Sequence, residues 1–237
     1  MCVEKYCHKV NAFRRNEMFF NKVLKPTIYI ISGLGADKRM FQNFSFDGFE
    51  VVHVDWILPI EKETLLNYAL RISEMITTEN AILIGLSFGG ILAVEISKFK
   101  KFKKVFLLSS AKTKSEIPFY YRLIGKLNLL KIFPSSILKR VNSLTYLVFG
   151  ATTNAEKSLL EDIVRNTDER FLKWALHQIM NWKNENYSED IVHIQGDSDL
   201  ILPHIFVNYD YLIKGGTHLM TLNQSKEIET IIIKNLL

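Results

Sequence analysis

Residues 81–90, Ala-Ile-Leu-Ile-Gly-Leu-Ser-Phe-Gly-Gly, run from an apolar, β-prone stretch into a helical pattern, with a serine between glycines at the junction. Ala81 to Ile84 are flanked by polar residues and Ile91 to Lys98 carry apolar residues at helical spacing, so Ser87 falls on a strand-to-helix turn. A turn this sharp holds its serine in a sparsely allowed backbone conformation that costs about 1–3 kcal/mol. Gly85 and Gly89 lack the Cβ atoms that would collide there. The turn aims the Ser87 hydroxyl outward and leaves the Phe88 amide unpaired at a helix N-terminus, where the dipole favours a developing negative oxygen. A capping serine in an ordinary tight turn gives the same five-residue pattern, so the reading depends on the rest of the chain.

From Pro26 onward β-like and helix-like segments alternate. Strands are expected at Thr27–Ser32, Glu50–Trp56, Ala81–Gly85, Lys104–Ser109, Asp190–Gln195 and Val207–Ile213, and helices at Glu61–Thr78, Ile91–Phe99 and Gln224–Leu236. This is the pattern of an α/β fold with a mostly parallel sheet of about six strands covered on both faces. Between Ala111 and Glu189 the alternation stops, and helical segments broken at Pro118, Gly125, Pro134 and Gly150 take over. The expected organisation is an N-terminal extension (1–25), a core in two pieces (26–110 and 190–237) and a helical cap insertion (111–189). Phe119, Tyr120, Tyr121, Leu123, Ile124, Leu127, Leu129, Leu130, Ile132 and Phe133 are numerous enough to line an apolar pocket, or simply to pack the insertion onto the sheet.

The 237 residues, 48% hydrophobic and 12% aromatic, suffice for one substantial core and exclude a disordered chain. The uncharged stretch Asn80–Val94 is shorter than the ~20 apolar residues of a spanning helix, and Ser87 and three glycines interrupt it, so no membrane span is expected. The first residues are polar and charged without an apolar run of signal-peptide length. Cys2 and Cys7 are the two cysteines, too few for a disulfide framework. Both observations point to a cytoplasmic protein. The net charge of +5 includes Lys98, Lys100, Lys101, Lys103 and Lys104, which read as a solvated helix C-terminus. No aromatic-interleaved basic stripe accompanies them, so no nucleic-acid partner is expected.

A serine hydroxyl needs a base within hydrogen-bond reach and an acid to fix the base's tautomer. His218, in Lys-Gly-Gly-Thr-His-Leu-Met after the last expected strand, is the candidate base. Asp197 and Asp199, in Gly-Asp-Ser-Asp, leave the strand before it. Asp199 precedes a short apolar run and is taken as the acid. Asp197 follows Gly196 as a turn residue able to cap nearby amides, and remains open as a structural residue or a second acid. In Ile-Ile-Ser-Gly-Leu-Gly-Ala-Asp (30–37) two glycines after a strand permit close backbone approach, so Leu34 N–H is the candidate second oxyanion donor beside Phe88 N–H. The third glycine of a dinucleotide fingerprint is missing, with Lys38 in its place, and no nucleotide cofactor is expected. His53, His177 and His193 show no metal spacing.

Taken in order, Ser-Gly-Leu-Gly after a strand, Gly-Leu-Ser-Phe-Gly-Gly, Gly-Asp-Ser-Asp with Pro203, and Gly-Gly-Thr-His resemble the α/β-hydrolase superfamily over about residues 27–236. The resemblance implies Ser87 as nucleophile, Asp199 as acid, His218 as base, the Leu34 and Phe88 amides as oxyanion hole, and residues 111–189 as a cap. Three departures accompany it. Ser32 stands where many members have histidine, which changes what braces the loop. About 26 residues precede the first core strand, so the sheet is expected to begin with what the family counts as its third strand. The 19 residues from Asp199 to His218 leave little room for the customary helix between the last two strands.

The expected function is a cofactor-free serine esterase or thioesterase acting on a small-molecule ester or acyl substrate through an acyl-enzyme. The alternatives are a triad-bearing lyase or carbon–carbon bond hydrolase, or a ligand-binding protein with negligible turnover. A peptidase is disfavoured because no anchor for a charged terminus is evident.

Overall fold

The computed structural model describes residues 25–129 and 134–236. Six strands form one sheet: β1 (Thr27–Ile31), β2 (Glu50–Val54), β3 (Ile82–Leu86), β4 (Lys104–Leu108), β5 (Ile191–Gly196) and β6 (Tyr211–Ile213). Their spatial order is β2-β1-β3-β4-β5-β6, and every neighbouring pair is parallel. The fold class is α/β, as the alternation implied. The sequences TIYII and ILIGL of β1 and β3 are buried at every position, because both faces of the sheet are covered.

The period of two splits the strand residues between two cores. Tyr29, Ile31, Leu83, Val105 and Leu107 pack with α1 (Leu65–Ser73) and α2 (Phe88–Ser97). Ile28, Ile30, Ile82, Ile84, Phe106 and Leu108 face α8 (Met220–Asn223) and α9 (Ser225–Lys234). From β1 the chain passes to β2 on one side and then returns to β3 on the other, so the strand order reverses between β1 and β3. A crevice opens at the C-terminal ends of strands where such a reversal occurs.

Between β4 and β5 lie α3 (Phe119–Lys126), α4 (Ser135–Leu138), α5 (Ser143–Phe149), α6 (Asn154–Asn166) and α7 (Glu169–Met180). Asparagine and threonine caps start two of them: Asn142 accepts from the Leu144 and Thr145 amides, and Thr153 from the Glu156 amide. These helices are tied to the sheet layer by Trp174 Nε1, which donates to the Glu63 carbonyl (2.8 Å), and by Trp182 Nε1, which donates to the Glu95 carboxylate (2.7 Å).

The last strand is shorter than the expected Val207–Ile213. Asn208 donates its amide to Glu116 Oε1 (3.0 Å), its carbonyl faces His193 Nδ1 (3.1 Å), and Asp210 Oδ2 accepts from the His193 amide (2.7 Å). Side chains thus occupy the backbone groups that a longer β6 would pair with β5. A single short turn, His204–Phe206, stands between β5 and β6, as the short acid-to-histidine spacing required. The first helix is also shorter than expected, starting at Leu65 behind the Thr64 cap. Cys2, Cys7 and the N-terminal extension before Lys25 lie outside the described residues. Among the described residues no helix is long and apolar enough to cross a membrane.

Candidate active site

Ser87 follows β3 directly and holds the N-cap position of α2 with φ +52° and ψ −118°, a region that side chains disfavour. The turn is held from below: the Ser87 amide donates to the Leu108 carbonyl (2.9 Å), and the Ser110 hydroxyl donates to the Ser87 carbonyl (2.7 Å). A Cβ on Gly85 would lie 2.5 Å from Gly90 Cα, and one on Gly89 would lie 2.2 Å from the Ile31 carbonyl oxygen, so glycine is required at both. The Ser87 hydroxyl makes no capping bond to its helix. It meets His218 Nε2 at 2.9 Å.

His218 reaches that position from the Gly215–Gly216 turn after β6, with Phe149 edge-on to its ring. Its Nδ1 stands 2.8 Å from Asp199 Oδ2. Burial pushes the Asp199 carboxyl up, but the nearby His218, their hydrogen bond and the Leu202 and Ile201 amides on Oδ1 outweigh it and hold the group below the usual carboxylate range. The carboxylate therefore takes the Nδ1 proton as its hydrogen bond, leaving Nε2 as the acceptor for the Ser87 hydroxyl. Asp199 and His218 are 1% and 6% exposed, so the pair is shielded from water. Asp197 takes no part in this string. Its Oδ1 accepts from the Gly215 amide (2.7 Å) and the Ser198 hydroxyl (2.8 Å), which shapes the turn that carries His218.

No family model matches the sequence, and no curated protein matches it either. Solved structures do. MenH from S. aureus aligns with a TM-score of 0.68 at 15% identity, over 91% of this chain and 95% of its own. An esterase from Exiguobacterium antarcticum aligns with a TM-score of 0.62 at 12% identity, over 89% and 91%. A bromoperoxidase from Bacillus anthracis aligns with a TM-score of 0.60 at 15% identity, over 89% and 91%. The fold is that of the α/β-hydrolases.

In this α/β-hydrolase fold the Gly33–Leu34 segment runs beside the serine turn, where a Cβ on Gly33 would come within 3.5 Å of Ser87 Cβ. Leu34 and Phe88 both line the space in front of Ser87. The Ser32 hydroxyl donates to the Asp37 carbonyl (3.0 Å), and Trp56 Nε1 donates to the carbonyls of Gly33 (3.0 Å) and Ala36 (3.1 Å). These bonds brace the loop where a histidine is absent. Trp56 also stacks on Phe88, with centroids 5.5 Å apart, so one indole touches both candidate amide-bearing segments.

In front of Ser87 and His218 lies a cavity of about 350 Å³. Its walls are apolar, with Met40 and Leu86 from the sheet side and Leu160, Leu172, Leu176 and Ile179 from the inserted helices. Of the aromatic-aliphatic group expected to line it, Tyr121 does. Phe119 and Leu123 on α3 and Leu127 just past its end, four residues apart, face solvent instead. Leu130, Ile132 and Phe133 lie outside the described residues.

Two supporting residues escaped the sequence analysis. Trp56 lies just past β2, with only its size as a signal. Gln195 is a fully buried amide in an apolar strand, four residues before Asp199, and that placement was its signal. Its Nε2 reaches Asp199 Oδ2 and the Leu202 carbonyl. His53, His177 and His193 do not line the cavity. Among the described residues no cluster of three metal-ligating side chains occurs.

Proposed function

We propose that the protein is a serine hydrolase that cleaves a carboxylic ester or thioester through an acyl-enzyme on Ser87. The observation that carries this reading is the string from Ser87 Oγ to His218 Nε2 (2.9 Å) and from His218 Nδ1 to Asp199 Oδ2 (2.8 Å), set at the sheet's reversal point. His218 Nε2 takes the Ser87 proton as the oxygen attacks the carbonyl carbon, and Asp199 stabilises the imidazolium that forms. The Leu34 and Phe88 amides hold the oxyanion. As the tetrahedral intermediate collapses, the alcohol or thiol leaves with the proton from His218. Water, deprotonated by the same nitrogen, then attacks the acyl-enzyme and releases the acid and Ser87.

Residues 111–189 act as the cap that walls the cavity, and its apolar lining favours an acyl group with a substantial hydrocarbon portion. The esterase and bromoperoxidase likenesses support the fold on which this chemistry rests. The test is hydrolysis of a panel of 4-nitrophenyl esters and acyl thioesters, with labelling by a fluorophosphonate probe. Ser87→Ala is expected to lose both label and turnover, the latter by on the order of 10⁶. Retained turnover in Ser87→Ala ends the assignment.

A further inference from the structure

Besides His218 and Tyr121, one ionisable side chain lines the cavity: Arg140, on the segment joining α4 to α5. Among the described residues it is the one guanidinium in the lining. Its backbone is anchored, the amide donating to the Ile137 carbonyl (3.1 Å) and the carbonyl accepting from the Thr145 hydroxyl (3.4 Å), and Thr145 lines the same cavity. Its guanidinium makes no ion pair among the described residues, although its neighbour Lys139 is committed, donating to the carbonyls of Arg165 (2.6 Å) and Thr167 (2.8 Å) at the end of α6. Two adjacent cations are thus handled differently: one is consumed as a structural tie, and one is left on the wall of a mainly apolar chamber.

Building on the hydrolase reading, we propose that Arg140 receives a carboxylate carried by the acyl chain, so that the substrate class is an ester or thioester of an ω-carboxy acid. A guanidinium fork matches a carboxylate in two parallel hydrogen bonds. One fixed cation balances one carboxylate. A phosphate dianion would call for a second cation, and Lys139 is already engaged. The mainly apolar lining of the cavity that Ser87 and Arg140 share suits the methylene chain joining the scissile carbonyl to the charged end.

The experiment compares mono-4-nitrophenyl esters of dicarboxylic acids, over a graded series of chain lengths, with the matching 4-nitrophenyl alkanoates. The wild-type enzyme is expected to show a higher kcat/KM for the ω-carboxy ester at one length. Arg140→Gln is expected to lower that value by about 10- to 100-fold and the alkanoate value far less, and Arg140→Lys to restore part of the loss. Arg140 is exposed, so the variants should fold, which circular dichroism checks. A wild-type preference for the alkanoate at every length, or equal losses on both ester types in Arg140→Gln, overturns the proposal. If the wild-type enzyme hydrolyses nothing and Ser87 is unlabelled, the hydrolase reading fails separately. Calorimetric titration of Ser87→Ala with a dicarboxylate against the matching alkanoate then decides on Arg140: tighter dicarboxylate binding that Arg140→Gln abolishes upholds it, and equal binding overturns it.

Discussion

Gln195 Nε2 donates both to Asp199 Oδ2 (3.2 Å) and to the Leu202 carbonyl (2.7 Å), so one fully buried amide joins the carboxylate to the loop that carries it. The oxygen it touches is the one that faces His218. On the proposed mechanism, Gln195→Leu should lower kcat roughly tenfold, the worth of one hydrogen bond to a charged group, with KM nearly unchanged. Gln195→Glu should do more harm, because a second buried acid beside Asp199 replaces the amide that donates to it. Steady-state kinetics from pH 5 to 9 read both effects; an unaltered kcat in Gln195→Leu would remove Gln195 from the site.

Trp56 joins the loop after β1 to the helix after β3, through its bonds to Gly33 and Ala36 and its stacking on Phe88. Trp56→Phe keeps most of the stacking and loses the donor. Kcat is expected to fall by about tenfold as the Leu34 amide loses its fixed position, with a smaller change in KM. Comparing kcat with the melting temperature separates positioning from stability. A loss of stability with kcat intact would make the indole a structural prop alone.

The alternation of apolar strands and helices was legible because sheet burial on both faces writes itself as uninterrupted runs such as Ile28–Ile31 and Ile82–Ile84. Ser87, Asp199 and His218 were legible because each follows a strand beside glycines whose close approaches admit no other residue. What long-range contact decides was not. The shortening of β6 follows from Glu116, ninety-two residues away in sequence, taking the Asn208 amide. Which of Asp197 and Asp199 reaches His218 turns on such contacts too: the Gly215 amide engages Asp197, and His218 Nδ1 meets Asp199. The pocket walls depended on how α3 is rotated, and composition alone does not set that rotation.

Glycines in this chain divide by what surrounds them. A Cβ on Gly89 would sit 2.2 and 2.3 Å from the Ile31 and Ser32 carbonyl oxygens, backbone that cannot swing aside. Gly48 has φ +88° and nothing within 4 Å of where its Cβ would stand. Gly89→Ala should therefore destabilise by about 3 kcal/mol or more, and Gly48→Ala by only about 1 kcal/mol, from backbone strain. Urea denaturation of the two variants measures the difference. Equal midpoints would show that β1 can move away from α2.

His193, on β5, is fully buried, with Nδ1 facing the Asn208 carbonyl at 3.1 Å and its backbone amide on Asp210. Burial pushes its pKa down to about 4, with the positive charge of Lys112 adding to the effect and the Asn208 carbonyl, Gln195 and Asp210 opposing it. Between about 6.5, its value in an unfolded chain, and about 4, the unfolded state holds the extra proton, so stability rises with pH across that window. The full contribution is present above the upper limit and lost at the lower, on the order of 3 kcal/mol. Asp199, whose carboxyl is held below its ordinary value, withdraws its own contribution only at still lower pH. His193→Leu should start less stable at pH 7, because the Asn208 carbonyl loses its partner, yet lose less on acidification to pH 4.5 than the parent protein. Urea midpoints at the two pH values test this, and parallel losses in both proteins would mean that His193 is not the group responsible.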